Sequence, residues 1–555
     1  MQTPTGITKL KKYPIFVAFL LILGASNAIA QSPDREAIRL EIESLESTGH
    51  LSVRNVEVAS GDLLAEIYEA RQFAPAWTRP GQIAELVKLV TGAETDGLDP
   101  EDYNAAAVEA AYQRLLGDAP VADEERAEID VLLTDALIRF VYHLRFGKIN
   151  PYTLDPQWNF NRKLRTPNPA ASIQAAIDSE SLQAHLWSIV PRGWAYLELQ
   201  QALAAYRALA AAGGWPMVPA GQTLRPGGSD SRVPIIASRL AVTGDLDPDI
   251  ARVATERYDD AIEEGVRRFQ ARHGLDADGI IGAGTLGAMN VPAEARVRQL
   301  EINLERARWV FDDLSDNFIL VNIAGFRAYV IRDRQVVWQS RVQVGKPFQK
   351  TPVFRDEMKY LVFNPTWTVP FSIATRDLLP QIQANPGILS TRGFDVRDSS
   401  GRNVDPANVD WSALSRRRFP YTLVQRPGPN NALGRVKFMF PNEHAVYLHD
   451  TPSKHLFDRT GRAFSAGCIR VEHPFELAEI LLGPDGWNQK RFEDVLATGK
   501  ETTIFLSKPL PVLLLYWTAQ VSADGEVLFL PDIYERDDAI ADALDAPFSL
   551  DSPAE

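Results

Sequence analysis

The chain has 555 residues, 45% of them hydrophobic and 23% charged, which is enough apolar material for several cored domains and too much for a disordered chain. Its formal net charge of -14 and pI near 5.2 exclude nucleic acid as a partner. One cysteine permits no internal disulfide, so in an oxidising compartment that thiol is either buried or used.

Lys9, Lys11 and Lys12 precede an apolar run from Ile15 to Leu23, and Ala28-Ile29-Ala30 supplies small residues before Gln31. Residues 1–30 therefore read as a secretory signal peptide. An uncleaved inner-membrane anchor is the alternative, although the apolar run is short for a span of ~20 residues. From Arg35 to about Ala212 the pattern is helical: Ile129, Leu132, Leu133, Ala136, Leu137, Phe140, Val141 and Leu144 recur at three and four positions, and Gly147 follows as a stop. His143 and His185 fall on such helices as packing or surface residues rather than ligands. The Pro/Gly-rich stretch from Gly213 to Ser229 marks a boundary.

In 233–295, Ile262, Val266 and Phe269 share a helical face, an Asp278-Gly279 turn follows, and Thr285 is placed as a helix N-cap. A helix with Val297, Leu300, Leu304, Ala307 and Phe311 leads into β structure, where Asn317 to Ile331 and Gln335 to Val344 alternate as paired strands do. Between Pro370 and Arg435 the β pattern breaks off, and an insertion this long (371–435) is uncommon unless functional. Its Arg416-Arg417-Arg418 run is either a carboxylate contact or an exposed basic turn. Lys508 to Tyr534 reads as two strands about Ala523-Asp524-Gly525, followed by an acidic tail expected to be mobile.

The only cysteine, Cys468, lies nineteen positions after His449. A free thiol near pKa ~8.5 is mostly protonated at neutral pH, so a reactive one needs a base, and His449 at the end of the β-forming run Ala445-Val446-Tyr447-Leu448 is the candidate. Gly467 lets backbone approach a substrate, and the amides of Gly467 and Cys468 are candidates for an oxyanion hole. His444, His449, His455 and His473 together with the thiol raise zinc as an alternative. Their spacings match neither a compact finger nor a His-Glu-x-x-His helix, so no metal is assigned.

His449 followed by Ser465-x-Gly467-Cys468-Ile469-Arg470 resembles the signature of the L,D-transpeptidase catalytic domain, as do Val344-Gly345-Lys346, Thr351-Pro352 and Asn364-Pro365-x-Trp367-x-Val369-Pro370. Many members carry histidine two residues before the cysteine; here it is Ala466, which points to the larger multi-domain Gram-negative branch. Phe269-Gln270 with Asp278-Gly279-Ile280-Ile281-Gly282 resembles a three-helix peptidoglycan-binding module. Asp99 to Tyr103 and Arg145 to Ile149 resemble that branch's helical scaffold.

The resemblance implies a multi-domain α+β chain: a helical scaffold (31–232), the small module (233–295), a β-rich catalytic domain (296–508) with a capping subdomain (371–435), and a C-terminal hairpin and acidic tail (509–555). It implies Cys468 as acylated nucleophile, His449 as base, and Arg470, Tyr447, Ser465 and Trp367 as substrate contacts. For Arg470 the alternative is a structural ion pair with Glu472 or Asp450.

The implied reaction is 3→3 cross-linking of peptidoglycan stem peptides through a cysteine thioester in the periplasm, with no cofactor. A donor tetrapeptide and an acceptor amine are the substrates, carbapenem-type β-lactams the inhibitors, and cell-wall synthesis proteins the expected company. An L,D-carboxypeptidase, in which water replaces the amine, and a non-catalytic wall-binding protein remain the alternatives, although an intact Cys468/His449 pair argues against the latter.

Overall fold

The computed structural model describes residues 33–155, 158–160, 168–190, 193–311, 315–522 and 524–548; the expected signal peptide and the end of the acidic tail lie outside them. Among the described residues no helix is long and apolar enough to cross a membrane.

The helices from Pro33 to Phe146 and from Pro169 to Ile189 build the first unit around the helix Asp123–Phe146, whereas the helix Trp194–Ala211 packs on the helix Ala293–Phe311. That helix opens on Asp123, Glu124 and Glu125, which suit its positive end, and stops at Gly147 (φ 81°). All eight apolar positions of its periodic pattern are buried. So are Asp130 and Asp135, which are satisfied in place: Asp130 accepts from Tyr68 Oη at 2.6 Å and from the Ala76 and Trp77 amides, and Asp135 pairs with Arg139 at 2.6 Å. His143 is buried against Tyr103 Oη at 2.9 Å, and His185 is half-buried on the helix Leu182–Ile189.

The Pro/Gly-rich stretch does not behave as a free linker. Val218 and Leu224 enter the core of the next unit, Asn290 clamps both backbone groups of Val218 at 2.8 Å, and Leu224 pairs with Ile281. That unit consists of the helices Val233–Val242, Pro248–Arg252, Asp260–Arg272 and Ala283–Met289. Gly282, not Thr285, occupies the N-cap of the last helix. Thr285 lies inside it because its hydroxyl is held by buried Gln270, whose side chain also ties down Asp278, Gly279 and Ile280.

The third unit is a nine-stranded sheet of β1 (Phe318–Asn322), β2 (Arg327–Arg332), β3 (Gln335–Gly345), β4 (Phe354–Phe363), β5 (Val436–Met439), β6 (Leu448–His449), β7 (Ala463–Ser465), β8 (Ile469–Val471) and β9 (Thr502–Leu515). Their order is β7-β3-β8-β6-β5-β4-β9-β1-β2, and pairing of β2 with β3 closes the sheet like a barrel. The run Asn317–Ile331 is thus two strands rather than one: the chain turns at Phe326 (φ 53°) through residues as apolar as the strands, which hides the turn from pattern reading.

β4 and β5 are adjacent antiparallel partners, and the insertion leaves and returns between them, with the Asn364 amide donating to the Arg435 carbonyl. It folds on its own core (Ile382, Leu389, Val396, Trp411, Leu423) with a four-stranded sheet that already includes Trp367–Thr368, ahead of the expected start at 371.

At the other end, β9 runs through the expected boundary at 508, pairing with β4 and β1; the hairpin is confined to Ala519–Val521 and Val527–Phe529. The acidic tail is also more ordered than expected. Asp537–Asp545 is a helix that buries Ile540 and Leu544, and its acids meet arginines of the helix Ala293–Phe311: Arg306 with Asp537 at 2.7 Å and Arg298 with Asp545 at 2.5 Å.

The helix Ala293–Phe311 joins the units. Glu305, fully buried, accepts from the Ile149 amide (2.8 Å) and Trp309 Nε1 (2.9 Å) and pairs with Arg308, which reaches the Asp96 carbonyl. Gly147 lies against this cluster; a Cβ there would meet Glu305 Oε1 and come within 2.7 Å of Trp309 Nε1. Gly147→Ala is expected to cost about 1–3 kcal/mol through overpacking, on top of the unfavourable φ, and thermal unfolding followed by circular dichroism will show a lowered midpoint.

Candidate active site

Strands β5, β6, β8 and β3 lie side by side, and their register sets Lys437 opposite His449, His449 opposite Arg470, and Arg470 opposite Gln343. Directly paired residues project to the same face. The intervening residues Phe438, Leu448, Ile469 and Val342 fill the core on the other face. Two positions back along β6 and β8, Tyr447 and Cys468 continue the polar face as neighbours, since Leu448 pairs with Ile469 and the Ile469 amide donates to the Tyr447 carbonyl at 3.1 Å. Cys468 and His449 are thereby diagonal neighbours on one surface.

His449 is buried, and its Nδ1 lies on the Asp450 carbonyl. A carbonyl only accepts, so Nδ1 carries the proton and Nε2 holds the lone pair. Burial, reinforced by the Arg470 and Lys437 charges, pushes the imidazole pKa down to about 3, while the Asp450 and Leu433 carbonyls pull the other way.

Burial also pushes the Cys468 thiol up, against the opposing influence of Tyr447 hydrogen bonds and the Lys437 and Arg470 cations. The Sγ proton has the Ala445 carbonyl at 3.7 Å. Tyr447 is raised by burial and by the neighbouring sulfur, and burial lowers both Lys437 and Arg470. Lys437 Nζ stands 4.0 Å above the Tyr447 ring, and that ring lies 5.6 Å from the His449 ring. Burial thus opposes charge on the sulfur and on the imidazole alike, while Lys437 and Arg470 stand beside them, so the charge the site favours in the space above the thiol is negative.

Arg470 donates to Gln343 Oε1 at 3.0 Å, and its buried Nε has no acceptor among the described residues. The two acids that sequence offered as its partners are engaged elsewhere: Glu472 with Arg341, and Asp450 with Lys454 and the Arg435 amide. Ser465 and Gly467 brace the nucleophile loop, with the Gly467 amide donating to Ser465 Oγ at 3.1 Å and that hydroxyl donating to the Cys468 carbonyl. The Gly467 amide is therefore occupied, which leaves the amide of Cys468 as the candidate oxyanion donor of the expected pair.

Trp367 is placed in the cap sheet, half-buried against that subdomain's core, 6.3 Å from the Phe394 ring. Of the other central histidines, His444 packs on Phe354, His455 is exposed, and His473 sits by Glu472 and Glu476. Pattern reading passed over Lys437 and Gln343. Lys437 was findable as the polar residue between buried Val436 and Phe438; Gln343 depends on a pairing 127 residues away.

Residues 316–503 match the family described as "L,D-transpeptidase catalytic domain", 62–203 a "Scaffold domain" and 239–289 a "Putative peptidoglycan binding domain". The chain therefore carries an L,D-transpeptidase catalytic domain, preceded by a scaffold domain and a peptidoglycan-binding domain. It is 39% identical over 240 residues to a protein of Haemophilus influenzae named "Putative L,D-transpeptidase", a match covering 43% of this chain and 48% of that one. The chain thus spans about half the length of that curated relative.

Among solved structures, the L,D-transpeptidase of Xylanimonas cellulosilytica is 15% identical over 54% of this chain and 99% of its own, with a TM-score of 0.17. A fused zinc-dependent amidase, peptidase and peptidoglycan-binding protein of Clostridium acetobutylicum is 12% identical over 53% and 100%, with a TM-score of 0.14. At those scores neither carries an argument.

With the proton on sulfur at rest, alkylation of Cys468 by iodoacetamide is expected to rise about tenfold per pH unit from pH ~6 to beyond the ordinary thiol value of ~8.5. A rate plateau between pH 5 and 7 would instead reveal a preformed thiolate–imidazolium pair.

Proposed function

We propose that the chain is a peptidoglycan L,D-transpeptidase working outside the cytoplasm, with Cys468 as nucleophile and His449 as base. The observation that carries this reading is the shared face of Cys468, His449, Tyr447 and Arg470, set by the pairing of β6 with β8. The catalytic and binding domains it is joined to support peptidoglycan as the substrate class.

In the proposed reaction, Sγ attacks the carbonyl carbon of the third residue of a donor tetrapeptide as its proton passes to His449 Nε2. The negative charge that develops on the carbonyl oxygen meets the Cys468 amide, and the nearby Lys437 and Arg470 favour it over the resting state. His449 then protonates the leaving amine, releasing D-alanine and a thioester. A side-chain amine of a second stem attacks the thioester, His449 accepts its proton, and the sulfur is restored as a thiol, leaving a 3→3 cross-link. Arg470, on the same face as the thiol, is suited to hold a substrate carboxylate through its planar fork. The same nucleophile opening a carbapenem ring would give a stable acyl-enzyme.

The test is incubation of purified peptidoglycan with the protein, digestion, and mass spectrometry. Cross-linked tetrapeptide–tripeptide fragments are expected; free tripeptide alone would assign hydrolysis, and unchanged wall would assign binding only. Cys468→Ala is expected to abolish product without altering circular dichroism, and His449→Ala to slow acylation roughly a hundredfold. Arg470→Lys keeps the charge but not the fork, so it is expected to lose turnover of stem peptide while iodoacetamide still alkylates Cys468 at near the normal rate; equal loss of both would assign Arg470 to loop structure.

A further inference from the structure

The matched catalytic domain ends at residue 503, yet the 345–351 loop that braces the Cys468 loop is held by a residue well beyond it. Tyr534 is buried in the segment between the C-terminal hairpin and the last helix. Its Oη donates to the Gly345 carbonyl at 2.7 Å and accepts from the Thr351 amide at 3.1 Å, so one phenol closes the base of the 345–351 loop. The ring is fixed in turn. It stacks on Tyr516 with centroids 5.4 Å apart, the Tyr534 amide donates to Tyr516 Oη, and Lys350 Nζ donates to the Tyr534 carbonyl. Gly345 admits no side chain in this tight loop: a Cβ there would come within 2.8 Å of the Thr351 amide nitrogen.

Thr351, fully buried, carries the restraint onward. Its hydroxyl accepts from the Gly345 amide at 2.9 Å and donates to the Gly467 carbonyl at 2.8 Å. That carbonyl belongs to the same peptide unit as the Cys468 amide. A trans peptide is planar with its C=O and N–H antiparallel, so anchoring one end dictates where the other points. Gly467 stands at φ 121°, a conformation in which its own dihedrals offer little resistance to rotation of that unit, so an external anchor is needed.

We propose that Tyr534 and Thr351 are positioning residues that aim the Cys468 amide at the developing oxyanion. The inference rests on the reading of Cys468 as an acylated nucleophile, and it makes the C-terminal segment a working part of the catalytic unit. Neither side chain touches the substrate. Each acts by holding the orientation of a peptide plane whose far end does.

The test compares a reaction that needs the oxyanion donor with one that does not. Acylation by p-nitrophenyl acetate passes through a tetrahedral oxyanion, whereas alkylation by iodoacetamide displaces iodide at a saturated carbon. Tyr534→Phe and Thr351→Val in the full-length protein are expected to slow acylation tenfold or more, on the scale of losing one such donor (~10²–10³-fold at most), with alkylation within about twofold of the parent. Thr351→Ser keeps the hydroxyl and is expected to restore most of the rate. The Tyr534→Phe, Thr351→Val double variant is expected to be no slower than the worse single variant, because both act along one path.

Acylation unchanged in Thr351→Val, or acylation and alkylation falling by the same factor in both single variants, overturns the proposal. Additive losses in the double variant do the same. A parent protein whose thiol is alkylated but never acylated overturns the nucleophile reading itself, a result distinct from failure of the positioning role.

Discussion

The site depends on one parallel strand pairing, that of the two-residue β6 with β8. The Ile469 amide bonded to the Tyr447 carbonyl sets Leu448 against Ile469 and His449 against Arg470. Because side chains alternate with a period of two, a slip of one residue would send His449 into the core and Leu448 to the cleft. So short a pairing is held by its flanks: β5 on one side, β3 on the other, and the closed sheet beyond them. The apolar face of these strands, with Phe438, Leu448 and Ile469 fully buried, makes any other register costly.

Burial then determines the proton inventory. Enclosure pushes the histidine towards its neutral form, and burial opposes charge on the thiol beside it. The cations beside them are held close by geometry rather than by partner acids, since the acids near Arg470 are already paired with Arg341 and Lys454. A group of charges arranged this way is poorly matched to its resting state and better matched to a state carrying negative charge at the sulfur or at an adjacent oxygen.

The non-catalytic parts are wired into this unit. The helix Ala293–Phe311 carries Glu305 and Arg308, which tie the scaffold to it at Asp96 and Ile149, and the C-terminal helix covers two of its other arginines. The peptidoglycan-binding domain touches the chain between His449 and Cys468, where Thr460 bonds Asp276, and the cap reaches the 345–351 loop where Arg376 donates to Gln349 at 3.1 Å. Both segments that border the thiol are therefore in contact with a different unit.

Sequence alone determined what short-range chemistry can specify. A single cysteine after a β-forming run ending in histidine marked Cys468 and His449 as the candidates for nucleophile and base, the spacing of Ile129 to Leu144 marked the central helix, and a broken β pattern marked the cap. Local composition misled where context overrides it. The Pro/Gly stretch near Val218 is clamped by Asn290, the acidic tail is neutralised by arginines and becomes a helix, and the turn before Phe326 is too apolar to read.

Only the tertiary structure decided which side chains join Cys468 and how its loop is held. Gln343 lies 127 residues from its partner Arg470, and Tyr534 lies 183 from Thr351. Such contacts are set by strand register and chain closure, and neither leaves a trace in the residues immediately around them.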